Sequence, residues 1–259
     1  MSPDAVNYDR IASNYHQRYA VNPLPGVAAA LRTMVQPYRA ARILEVGCGS
    51  GRWLAELGPL ATWVCGVDFS PGMLRQARGH MAWLALACGE GACLPFADAA
   101  FQFIFCVNAL HHFAQPRRFI GEARRLLEPG GRLAVVGMDP HTGQDQWYVY
   151  DYFAGTREAD LARFPAGATL LAWMEEAGLV DLECRPGERI LHHFVGYEVL
   201  DDYFLQQHST SQLALLTDQA YVAGLERIRA ALAEAEAAGR RSVFTVDLSL
   251  ALCTGRAPQ

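Results

Sequence analysis

The chain has 259 residues, 51% of them hydrophobic, with 22 basic against 27 acidic side chains and a formal charge of −5. That length can bury a substantial core, and no apolar run approaches the roughly 18 residues a membrane-spanning helix needs. The acidic balance, with arginine doublets only at 117–118, 124–125 and 240–241, leaves no contiguous basic face for a phosphate backbone, so a nucleic-acid partner is not expected.

Residues 1–17 lack the apolar stretch of a signal peptide, which predicts a cytoplasmic chain. Residues 9–20 place Ile11, Tyr15 and Tyr19 on one helical stripe. Pro23-Leu24-Pro25-Gly26 breaks the chain before a second helix at 27–35. Residues 42–46, Arg-Ile-Leu-Glu-Val, read as a buried parallel strand that opens into Gly47, Gly49 and Gly51. Trp53, Leu54 and Leu57 follow with helical spacing, so the glycines lie on a strand-to-helix turn. Backbone N–H groups can approach a ligand closely there. A dinucleotide fingerprint requires a small residue where Arg52 stands, and no phosphate loop ending in Gly-Lys-Ser/Thr is present.

A second strand, 63–68, ends in Asp68. An acid closing an apolar strand is costly without a polar partner, and in a nucleotide-binding βαβ unit that partner is a ribose hydroxyl. A helix opens at Pro71. The loop 89–96, an apolar strand at 101–107, the segment Asn108 to Phe113 and a helix ending at Pro129-Gly130-Gly131 follow, with a strand at 132–137. This alternation demands right-handed crossovers and a parallel sheet with ligands at the carboxyl ends of its strands.

Residues 139–166 are rich in aromatics. A helix at 169–177 stops at Gly178, and a sixth strand is expected at 179–184. Residues 242–254 alternate as a last strand. Between those strands, a helix at 218–238 presents Tyr221, Leu225, Ile228 and Leu232 on one face. The expected organisation is a cofactor-binding core with a leading lid helix over 1–137. The rest of the sheet falls at about 169–190 and 242–254, with cap insertions at about 139–167 and 191–241. The seven cysteines show no Cys-x-x-Cys pair or Cys/His ligand spacing, which predicts buried thiols and no metal site.

The run Glu45-x-Gly47-x-Gly49-x-Gly51, with the four segments after it, resembles the first motifs of class I S-adenosylmethionine-dependent methyltransferases. The likeness is to the small-molecule branch of ubiquinone and menaquinone biosynthesis, and it covers roughly residues 8–137. It implies a doubly wound, seven-stranded, mostly parallel Rossmann-like α/β sheet with an antiparallel last strand and a helical cap. The implied cofactor is S-adenosyl-L-methionine. Gly47, Cys48, Gly49 and Gly51 would face its methionine portion, Glu45 its ammonium and Asp68 its ribose. Phe69 and Met73 would flank adenine, Met73 serving equally as a core contact. Glu90 would accept from the adenine amino group, and Gly91 would donate its N–H to the ring. Asn108 or Ala109 would offer a carbonyl to the ammonium. A leading helix lies over the cofactor in relatives, so Tyr15 and Tyr19 either close the site or pack on the sheet.

The sulfonium methyl is already activated, so the protein must position a nucleophile and, where needed, take its proton. His111 and His112 are candidate bases at the end of the fourth strand, or caps of the next turn. Asp139 and His141 are rival bases. Trp147, Tyr148, Tyr152 and His208, with Tyr15 and Tyr19, are candidates for the substrate wall. The expected reaction moves a methyl group to a small apolar or aromatic acceptor, oxygen before nitrogen or carbon. The alternatives are an RNA-modifying methyltransferase and a cofactor-binding protein without turnover. A monomer or homodimer fits either.

Overall fold

A computed structural model describes residues 17–38 and 41–259. Ile11 and Tyr15, on the predicted leading helix, lie outside the described residues; its tail is helical as α1 (Gln17–Val21). The second helix, α2, spans Pro25–Val35.

Strand β1 (Arg42–Val46) is central, parallel to β2 (Trp63–Asp68) on one side and β4 (Phe101–Val107) on the other. Beyond β2 lies β3 (Ala85–Cys88), and beyond β4 lies β5 (Leu127–Met138), both parallel. Helices α3 (Arg52–Leu57), α4 (Pro71–His80) and α5 (Pro116–Leu126) make the crossovers. Side chains alternate between two cores, as strand geometry requires. Ile43, Phe103 and Phe105 face α2 and α3 through Leu31, Val35, Trp53 and Leu54. Leu44, Val46, Ile104 and Cys106 face the other way, onto Phe119, Ile120 and Leu126 of α5 and Met174 of a later helix. Pro129-Gly130-Gly131, read as a turn before the fifth strand, instead forms an irregularity within β5: Phe101 pairs with Leu127, and Phe103 already with Arg132.

The last strand, β8 (Val243–Arg256), enters antiparallel beside β5. Along its other edge runs β7 (Val180–Val195). A two-residue β6 (Gln146–Trp147) pairs with β8 where β5 has ended. The sheet order is β3-β2-β1-β4-β5-β8-β6, with β7 on the far side of β8, eight strands among the described residues. The doubly wound, mostly parallel fold class expected from the sequence is present.

Strand β7 is longer than the expected 179–184. Pro186-Gly187 looks like a stop, but β7 is an edge strand, where a missing N–H costs no ladder bond. The chain shifts register between Pro186 and Glu188 and continues to Val195. His192, His193 and Phe194, assigned to the cap by sequence, are therefore strand residues. The far halves of β7 and β8 form a ribbon that overhangs the core sheet. Over the ribbon packs a cap with its own core, including Trp147, Tyr148, Phe153, Leu213, Ile228, Leu232, Phe244 and Val246. The cap contains α6 (Tyr148–Tyr152), α7 (Thr156–Arg163), α9 (Ser211–Ala214) and α10 (Asp218–Ala237), while α8 (Gly167–Glu176) returns to the core.

The register also corrects the reading of the cysteines. Cys184 on β7 lies opposite Cys253 on β8, and the two form a disulfide across 69 residues of chain. No local spacing could announce that pairing. Cys48, Cys65 and Cys106 are buried free thiols, and Cys88 and Cys93 are exposed ones. Among the described residues no helix is long and apolar enough to cross a membrane.

Candidate active site

The carboxyl ends of β1, β2 and β4 open into one cleft. At the exit of β1, Gly47 and Cys48 both donate their N–H to the carbonyl of Val67, at 2.8 and 3.1 Å. Gly47 has φ +77°, and a Cβ there would lie 2.4 Å from the Cβ of Ala109. Glycine is required because two strand exits nearly touch and the backbone is left-handed. Asp68 is 7% exposed. Its Oδ2 accepts from the Gly49 N–H at 2.8 Å and its Oδ1 from the Ser70 N–H at 2.9 Å. The β2 carboxylate therefore pins the glycine turn while lining the cleft.

Glu45, also lining the cleft, is 1% exposed, and its Oε2 has no partner among the described residues. Burial, and then the negative charge of Asp68, push its carboxyl well above the usual carboxylate range. A buried, unsatisfied acceptor beside a second carboxylate calls for a cationic hydrogen-bond donor. The donor set therefore fits a ligand that carries an ammonium group next to ribose hydroxyls, as S-adenosylmethionine does.

The cleft is lined by nine of the residues the resemblance assigns to the cofactor, Glu45, Gly47, Cys48, Gly49, Asp68, Phe69, Met73, Asn108 and Ala109. Met73 is 1% exposed, its N–H held by the Ser70 cap, while Phe69 is 42% exposed at the rim. Asn108 adopts φ +50°, a left-handed turn that redirects the chain leaving β4. Three of the expected cofactor residues do not line the cleft. Gly51 begins α3 and faces Met81, Leu84 and Ala77. Glu90 is exposed beyond β3. Gly91 is buried behind Phe113, which a Cβ at Gly91 would meet at 2.8 Å. Phe113 itself lines the cleft, as does Val107, and neither was singled out by sequence.

A second cavity, about 330 Å³, lies alongside and shares Tyr19, Asn108 and His112 with the cleft. The core supplies His111, His112 and Met138 to this chamber. The ribbon supplies Ile190, His192, Phe194, Val246 and Leu248, and the cap supplies Trp147, Phe164, Tyr203, Phe204 and Gln212. Segment Arg18–Leu24 covers it, with α1 in contact with the turn at Tyr203–Leu205. The walls are mostly apolar and aromatic.

The rings of His111 and His112 have centroids 3.9 Å apart, and His111 also stacks on Phe164 at 3.9 Å. Burial, then His112, Arg163 and Arg18, hold the His111 imidazole well below its ordinary value. Burial, then Arg163 and Arg18, push His112 down to about 3. Both are neutral near pH 7. Asp139 is placed differently. Its Oδ1 accepts from the His141 N–H at 3.1 Å and its Oδ2 from the Gly167 N–H at 2.8 Å, which ties it to the start of α8, and it does not line the chamber. The Nε2 of His141 lies 2.8 Å from the carbonyl oxygen of Phe164. These two residues brace the segment whose Phe164 backs His111.

Of the substrate-wall candidates, Tyr19 and Trp147 line the chamber. Tyr148 is 2% exposed behind the wall, its hydroxyl donating to Asp202 Oδ2 at 2.6 Å. Tyr152 packs on Phe244 with centroids 5.4 Å apart, and His208 is exposed; neither lines the chamber. Tyr15 is outside the described residues. Ile190, His192 and Phe194 were missed although they carry a period-2 signal, because the strand was ended at residue 184. Phe164 and Gln212 carry no local signal.

Comparison with known proteins agrees with this geometry. Residues 44–135 match the family described as a methyltransferase domain. The demethylmenaquinone methyltransferase of Corynebacterium kroppenstedtii is 34% identical over 106 residues, 41% of this chain and 45% of that protein. The biotin biosynthesis bifunctional protein BioHC of Cellvibrio japonicus is 28% identical over 187 residues, 66% of this chain and 37% of that protein. The chain thus spans less than half the length of these two curated relatives. A putative methyltransferase from an antibiotic biosynthesis pathway of Anabaena variabilis shares the fold at TM-score 0.69 and 19% identity, with 88% of this chain and 96% of that chain covered. The resemblance to class I methyltransferases of the quinone-biosynthesis-like branch, drawn from the sequence, is borne out.

Proposed function

We propose that this chain, whose residues 44–135 match a methyltransferase domain, transfers a methyl group from S-adenosylmethionine to a small apolar or aromatic acceptor by in-line displacement. The observation that carries the reading is the junction of two cavities. A cleft lined by Glu45 and Asp68 meets a mostly apolar chamber at Tyr19, Asn108 and His112. When bound, the cofactor supplies a methyl group activated by its sulfonium. Glu45 would receive the cofactor's ammonium, Asp68 its ribose, and Phe69 with Met73 its adenine. The chain's remaining task is to place a nucleophile at the junction and exclude water.

His112 is a polar side chain at that junction, together with Tyr19 and Asn108. A neutral imidazole accepts a hydrogen bond from a hydroxyl and orients its oxygen. That hydrogen bond supports oxygen as the methylated atom, with the proton passing to His112 only as the methyl group moves and the oxygen becomes strongly acidic. The concave, largely apolar chamber of about 330 Å³ supports a small molecule over RNA.

Calorimetric titration with S-adenosylmethionine tests the first half. Transfer of label from its methyl group to a panel of aromatic hydroxyl compounds tests the second. Absence of binding at saturating cofactor would end this reading.

A further inference from the structure

The cap wall of the chamber carries several polar residues, Asp201, Asp202, Thr210, Ser211 and Gln212 among them, and Gln212 is held from behind. Gln212, on α9, lines the chamber and is 6% exposed. Its Nε2 donates to Asp160 Oδ2 at 2.8 Å. Asp160, on α7, is fully buried. Its Oδ2 also accepts from the Tyr150 hydroxyl at 2.7 Å, and its Oδ1 from the Arg163 guanidinium at 2.6 Å. With both oxygens accepting from Tyr150 and Arg163, Asp160 presents acceptors to the amide, which turns its NH₂ toward it. Tyr150 cannot take that place: burial, and then the charge of Asp160, keep its hydroxyl protonated and donating. The amide orientation is thus fixed by three residues behind the wall. What remains for the chamber is Oε1, contacted only by the Ser211 hydroxyl at 3.4 Å among the described residues.

Packing does not demand this arrangement. A leucine or methionine at 212 would fill the wall, and burying Asp160 with Arg163 contributes little or nothing to stability relative to apolar side chains. The arrangement does give direction, because it fixes which end of the Gln212 amide is left to the chamber wall.

We infer that Gln212 determines acceptor specificity: its Oε1 receives a hydrogen-bond donor, a hydroxyl or an amine N–H, that the acceptor carries in addition to the group facing His112. This rests on the acceptor chamber proposed above. The acceptor is then an apolar or aromatic molecule with two polar substituents, one methylated and one recognised. Asp160, Tyr150 and Arg163 are positioning residues.

The test is binding of naphthalene-2,7-diol and its monomethyl ether to the full chain, followed by tryptophan fluorescence. Wild type should prefer the diol about five- to tenfold, the worth of one neutral hydrogen bond. Gln212→Met should bind both equally, at the affinity wild type shows for the ether. In Asp160→Asn the new amide can donate to Gln212 and let it turn round, so the preference for the diol should vanish or invert. Melting curves on each variant verify folding, and the Gln212→Met comparison stands alone should Asp160→Asn unfold. Equal affinities in wild type, binding of neither probe, or discrimination that survives Gln212→Met would overturn the inference. S-adenosylmethionine affinity is measured on the same proteins. Discrimination without cofactor binding would refute methyl transfer and leave the subsite standing, and the reverse result would refute the subsite alone.

Discussion

Replacing Glu45 with glutamine should make the unliganded protein more stable and the cofactor complex weaker. In the free protein the Glu45 carboxyl is 1% exposed, its Oε2 has no partner among the described residues, and it faces the charge of Asp68. A neutral amide of the same size removes the desolvation cost and the like-charge repulsion, and its NH₂ can donate toward Asp68. The melting temperature should therefore rise. In the complex the same change deletes a charge-assisted hydrogen bond to an ammonium, roughly 1.5–3 kcal/mol, so affinity should fall about 10- to 150-fold. The pH dependence has a definite sign. The folded pKa of Glu45 is raised above its unfolded value, so the folded state binds the extra proton between the two. Stability of the free protein then declines as pH rises through that window, above about 4.5. Cofactor binding favours the ionised form, so affinity rises over the same range and binding releases a proton. Calorimetry in buffers of different ionisation enthalpy reads that proton directly, and Glu45→Gln should abolish it. A variant that loses stability and affinity together, or that binds as wild type does, would refute the reasoning.

Asp68→Ala should weaken cofactor binding at least tenfold by titration, because two backbone N–H groups, of Gly49 and Ser70, lose their acceptor and the ribose loses its partner. Gly47→Ala should abolish cofactor binding and lower the melting temperature, since the added Cβ meets Ala109 at 2.4 Å in a left-handed backbone. With His112 down at about 3, the rate profile should show no imidazole limb between pH 5 and 7; a limb near 6.5 would refute its neutral placement. The unfolded state binds the His112 proton first, so stability falls as pH drops from about 6.5 toward 3, and His112→Gln should flatten that slope in acid titration.

The cofactor half of the site was legible because it is local. Glu45, the glycines and Asp68 sit at strand tips whose order the alternation of strand and helix dictates. Gly51 and Glu90 show where that reasoning overreaches. Their spacing fits a motif, yet one starts a helix facing Met81 and Leu84 and the other faces solvent. The acceptor half is built from distant pieces. Asp139 looks like a base after a strand, but both its oxygens are spent on backbone N–H groups. Tyr148 looks like a wall residue but points its hydroxyl at Asp202, 54 positions on. Only the continuation of β7 past Pro186 brings Ile190, His192 and Phe194 under the cap, and an edge strand's tolerance of proline leaves no mark in the sequence.

The cleft and the surroundings of the histidine pair differ in charge. Carboxylates face the cleft, and Glu45 Oε2 has no hydrogen-bond partner among the described residues. Around the histidine pair the nearby charges are Arg18 and Arg163, and both act to keep the rings unprotonated. Asp201 and Asp202 line the chamber as well, and the Asp202 oxygens are taken by the Tyr148 hydroxyl and the Phe204 N–H. A ligand bearing a sulfonium and an ammonium is attracted to the cleft and repelled from the histidines. A neutral or acidic hydroxyl compound has the opposite preference. Arg18 and Arg163 would favour negative charge developing on an acceptor oxygen, whereas the Glu45 and Asp68 carboxylates would favour the charged cofactor before transfer, so the field assists binding in the cleft and charge development on the acceptor side.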